Sequence, residues 1–99
     1  MTTPITGKRI AITGTLSVPR KFIFQQIRLG GGIPTNSISK NTDFLVVGDL
    51  TSNKRIPDGM SRKLRIAVSL RDAGERIQII DEDVLDEMLR PVYLRKEAS

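Results

Sequence analysis

Apolar residues in this 99-residue chain fall into short blocks, some continuous and some spaced by three and four. Lys8 to Thr13 is β-branched and largely apolar between Gly7 and Gly14, which predicts a strand. From Arg20 to Leu29, Phe22, Ile23 and Ile27 recur on one face of a predicted helix. Pro19 suits its first turn and Gly30-Gly31-Gly32 ends it. Phe24 falls off that face and reads as a surface residue or a partner contact, whereas Phe22 and Phe44 read as core. Ile33-Pro34-Thr35 predicts a short strand, placed at a sheet edge by its proline. Asp43 to Val47 carries four continuous apolar residues and predicts a central strand covered on both faces.

Residues 48–59 form a polar stretch with Pro and Gly. Met60 to Ala73 predicts a helix with Leu64, Ala67 and Val68 on one face and Gly74 as its stop. Ile77 to Ile80 predicts a fourth strand. Asp81 then caps a helix from Glu82 to Arg90, with acids in its first turn and Val84, Leu85, Met88 and Leu89 facing inward. Pro91 is expected to stop it and leave Val92 to Ser99 frayed. The resulting order, β-α-β-β-α-β-α, implies an α/β fold with three layers: an open, mostly parallel four-stranded sheet with helices on both faces. The expected organisation is an extension over 1–6, a single domain over 7–90 and a flexible tail over 91–99, with no internal repeat.

Composition then narrows the chemistry. The chain has no Cys and no His, which excludes disulfides, thiolate metal sites, a cysteine nucleophile and the commonest general base. The acids of Asp81-Glu82-Asp83 and Asp86-Glu87 are explained by helix capping. No Walker-type glycine loop is present, and Gly30-Gly31-Gly32 follows a helix rather than a strand, so it is no dinucleotide fingerprint. A receiver domain shares the order of elements, but it needs an aspartate cluster at the strand ends, and the first strand here ends in Thr13. The chain reads as a non-catalytic binding domain that needs no cofactor and no metal. No apolar run approaches the ~18 residues of a membrane span, and the first residues lack the charged and apolar regions of a signal peptide. An intracellular monomer that avoids membranes is expected, in a bacterial cytoplasm or nucleoid or a eukaryotic nucleus.

Charge points to the partner. The net charge of +5 is unevenly spread: residues 1–76 carry 13 Lys/Arg against 5 Asp/Glu, and residues 77–99 carry 3 against 6. A basic body favours a polyanion, most simply nucleic acid, over the plain alternative of a solvated surface. Lys54, Arg55, Arg62, Lys63 and Arg65 face a single acid, Asp58, between residues 51 and 65. Arg62 and Arg65 lie one helical turn apart and can track a backbone. Thr13-Gly14 places a hydroxyl and a glycine N–H where a strand gives way to a helix, a natural cradle for phosphate. The plain alternative is a turn.

Several segments together resemble the BRCT domain family. Gly7-Lys8 precedes the first strand, Thr13-Gly14 follows it and Leu29-Gly30-Gly31 closes the first helix. Ser37 to Gly48 is similar to the family's V-S-x-x-T-D-Y-L-V-x-G segment, Lys63-Leu64-x-x-Ala67 to its K-L-x-x-A, and Ile79-Ile80-Asp81-Glu82-Asp83 to its I-I-x-E-D corner. Gly14 to Ser17 and Ser39 to Asp43 are closest to the ligase-like branch, found in NAD-dependent DNA ligases and the large clamp-loader subunit. The chain departs from the family in lacking the last-helix Trp of tandem repair-type members and a second unit. Its segment before the second helix is also longer, around Asn53 to Gly59, so that Lys54 stands as an alternative to Lys63.

The resemblance implies a phosphate site made of Thr13, Gly14 and Lys63, with Arg20, Lys54, Arg55, Arg62 and Arg65 along a DNA backbone. The implied ligand is DNA, preferably a 5′-phosphorylated end, within a replication or repair protein. The alternatives are a module that takes a phosphorylated protein or docks a partner, and an accessory domain of an NAD-dependent DNA ligase. A larger DNA ligase or exonuclease is the implied setting.

Overall fold

The computed structural model describes residues 3–49 and 61–98. Its elements run β1 (Arg9–Thr13), α1 (Arg20–Leu29), β2 (Ile33–Thr35), β3 (Phe44–Val47), α2 (Arg62–Asp72), β4 (Gln78–Asp81) and α3 (Glu82–Ala98). The four strands form one sheet in the order β2-β1-β3-β4, and all three pairings are parallel. β1 and β3 lie at the centre, as their continuous apolar runs require. β2 lies at the edge. Ile33 N–H bonds to the Lys8 carbonyl, so in the two-residue alternation of a parallel ladder Pro34 is the position that faces outward. With no N–H there, the free edge offers a further strand no donor.

Side-chain alternation along the central strands divides the core into two layers. Ile10 and Ile12 of β1 and Val46 of β3 pack with Ile23 and Ile27 of α1 and with Leu85, Leu89 and Val92 of α3. The intervening Ala11 and Leu45 pack on the opposite face with Ala67 and Leu64 of α2. Leu45 and Val46 are both completely buried, each under a different helix layer. The same alternation puts Thr13 on the α2 face, with consequences for the site.

Three expectations are corrected. The buried face of α1 is Ile23, Gln26 and Ile27, flanked by a half-buried Phe24, while Phe22 is 37% exposed. Val84, expected inward, is 42% exposed, although Leu85, Met88 and Leu89 do face the core. Pro91 does not stop α3, which continues to Ala98. An interior proline costs ~3 kcal/mol through a lost hydrogen bond and a ring clash. Burying Val92 and packing Tyr93 against the main core cluster recovers a comparable ~2–3 kcal/mol, so packing carries the helix through. No helix among the described residues is long and apolar enough to cross a membrane.

Candidate anion site

In a parallel sheet the carboxyl ends of strands and the amino ends of helices meet at one rim. Here β1 ends at Thr13, α1 starts at Arg20 and α2 starts at Arg62, and a cavity of about 470 Å³ opens between them. Its lining includes Thr13, Gly14, Arg20, Ser61, Arg62 and Lys63. Five of the residues singled out in the sequence therefore share one concavity. Arg65, one turn further along α2, is exposed and does not line it. Lys54 and Arg55 lie outside the described residues.

Each side chain is fixed by local structure. Gly14 leaves β1 at φ +82°, a conformation that favours glycine. Arg20 donates from Nη2 to the Gly14 carbonyl at 2.9 Å, and Lys63 Nζ donates to the Ile12 carbonyl at 3.0 Å. Two cations are thus held over the exit of β1 by its own backbone, each with further N–H groups to offer a ligand. Gly14 N–H has no partner among the described residues, while Thr15 N–H is spent on the Asp49 carbonyl. The lysine's pKa is lowered from its ordinary value, first because partial burial disfavours its charge and second because Arg20 repels it. A bound anion would relieve both.

Ser61 was missed at the level of sequence. It is the N-cap of α2, accepting the Leu64 N–H at 3.1 Å, and it also accepts the buried Thr13 hydroxyl at 2.6 Å. Thr13, expected to offer its hydroxyl to a phosphate, therefore spends its hydroxyl hydrogen on Ser61, and the hydrogen that remains is that of the Ser61 hydroxyl. A Ser three residues before an apolar position is a capping signal. Its contact with Thr13 follows only from the side-chain alternation of β1.

The loop from Gly14 to Pro19 is tied down on its other side. Thr15 and Asp49 exchange backbone hydrogen bonds, 2.9 and 2.8 Å long. Gly48 packs so tightly beneath that a Cβ there would stand 2.5 Å from the Thr15 carbonyl oxygen. Ser17 donates its N–H and its hydroxyl to the carboxylate of Glu82 at the start of α3. Among the described residues no group of three His, Cys, Asp or Glu side chains is placed to hold a metal ion.

A family profile described as BRCA1 C Terminus (BRCT) domain matches residues 2–72. The chain is 38% identical over 87 residues, 88% of its length, to a DNA ligase of Mycoplasmopsis pulmonis, where the match spans 11% of the relative. It is 49% identical over 51 residues to a DNA ligase of Rubrobacter xylanophilus and 46% identical over 54 residues to one of Haloquadratum walsbyi. These matches span 52% and 54% of this chain and 7% of each relative. The chain thus corresponds to only a small part of the curated relatives it matches.

Proposed function

Because the chain belongs to the BRCT domain family, we propose that it is a non-catalytic DNA-binding module that takes a 5′-phosphorylated end, working as an accessory domain of an NAD-dependent DNA ligase. One observation carries the reading: Lys63, Arg20, the Thr13–Ser61 hydroxyl pair and Gly14, whose N–H has no partner among the described residues, line one open cavity. That set offers positive charge and hydrogen-bond donors to several oxygens at once, which suits a terminal phosphate dianion. Arg62 and Arg65, on the exposed side of α2, would follow the adjoining phosphodiesters. The ligase relatives supply the setting.

The test is fluorescence anisotropy on a recessed-end duplex carrying either a 5′-phosphate or a 5′-hydroxyl, at low and at physiological salt. Tighter binding of the phosphorylated end is expected at both. Equal binding would contradict end recognition, and a phosphopeptide titration would then test the same pocket as a reader of phosphorylated protein.

A further inference from the structure

The β1–α1 loop is a wall with a different cavity on each side. One side is the cationic pocket; the other is a cleft of about 440 Å³ lined by Ser17, Asp49 and Glu82 among others, and Thr15 belongs to both. Glu82 starts α3, an element with no residue in the cationic pocket. Its carboxylate takes the Ser17 N–H at 3.0 and 3.1 Å on its two oxygens and also takes the Ser17 hydroxyl. Ser17 is three residues from Gly14, with the Thr15–Asp49 bridge between them. These ties absorb the N–H groups of Thr15 and Ser17, while the N–H of Gly14, which lines the pocket, has no partner among the described residues.

We infer that Glu82 is a positioning residue for the phosphate pocket, holding the β1–α1 loop from behind so that Gly14 N–H stays presented to the anion; this rests on the phosphate reading above. A carboxylate near a polyanion site repels the ligand, so its removal should tighten DNA binding through charge alone. If it organises the loop, its removal should instead weaken the phosphate-dependent part.

The experiment uses the full chain and reads the ratio of the dissociation constants for 5′-hydroxyl and 5′-phosphate duplexes, with thermal melts to establish folding. Glu82→Ala is expected to lower that ratio about tenfold, the loss of one well-placed charge-assisted donor. Glu82→Gln retains an oxygen for the Ser17 N–H and should keep the ratio within about threefold. Asp83→Asn removes the same charge from the next residue and should leave the ratio unchanged. A Glu82→Ala ratio equal to or above that of the unmodified chain would overturn the inference while leaving the phosphate reading intact. A ratio of one in the unmodified chain would overturn both. Should Glu82→Ala fail to fold, Ser17→Ala, which cuts only the hydroxyl tie, decides: a lowered ratio supports the inference and an unchanged one overturns it.

Discussion

Lys63 sits where the free protein disfavours its charge and where a bound phosphate would favour it. Burial and the nearby Arg20 both disfavour its charge, and a bound phosphate would offset both by supplying a counter-charge. Lys63→Ala is expected to cost ~1–3 kcal/mol of phosphate-dependent binding, with the melting temperature nearly unchanged, as read by anisotropy and thermal unfolding. Full retention of end discrimination in that variant would remove Lys63 from the site. Asp86 shows the opposite sign of charge. Although the residue is exposed, its carboxyl is raised above its ordinary pKa by partial desolvation against the helix surface, then by Glu82 and Asp83. An acid raised in this way favours the fold when protonated: the cost is absent below the ordinary carboxylate range and appears as pH rises through the raised value. Asp86→Asn should therefore raise the melting temperature at pH 7, and melts repeated at acidic pH should show that advantage disappearing. The strand end and turn at Thr13-Gly14 were legible at this scale because a glycine after a β-branched run is a local signal. Ser61 was not, because its contact lies 48 residues away in sequence and depends on which side of β1 faces α2.

Elements were legible where the chain carries strong periodicity. The continuous run of β3, the edge proline of β2 and the Asp81 cap of α3, which accepts the Val84 N–H at 2.9 Å, all follow from residue type and spacing. The face of α1 was misread because a polar residue, Gln26, sits at its buried centre with its Oε1 lacking a partner among the described residues. The apolar residues alone then leave Phe22 and Phe24 interchangeable. Only the docking of α1 beside α3 distinguishes them. The length of α3 was misread for a related reason: proline is a strong local stop, but tertiary packing of Val92 and Tyr93 outweighs it. Pro91→Ala should restore the hydrogen bond to the carbonyl one turn back and relieve the ring clash, raising stability by ~1–3 kcal/mol. Chemical denaturation would measure this. A destabilised variant would mean that the proline ring is itself a necessary part of the packing.

Across the whole molecule, topology and charge agree. The order β2-β1-β3-β4 places the reversal of strand order at β1 and β3, and open α/β sheets bind ligands beyond the carboxyl ends at such a point. The cationic pocket opens there, between the end of β1 and the start of α2, while the acids of residues 77–99 lie on β4 and α3. DNA should therefore approach from the α2 side. Engagement of about four phosphates by this surface implies a slope near −3.6 for log affinity against log salt on B-DNA. A salt titration giving a flat slope would exclude backbone contact. The pocket's general location was legible from the order of elements, whereas its walls depend on contacts between residues far apart in the chain, such as Ser17 with Glu82.

The most direct test of the pocket is a nitrogen-15 amide shift map of the full chain titrated with a 5′-phosphorylated recessed-end duplex. The largest changes are expected at Gly14 and Thr13 and across Ser61 to Lys63, and they should be absent from the outer edge of β2. Changes centred on α3 or on β2, with Gly14 unmoved, would contradict a phosphate site at the end of β1.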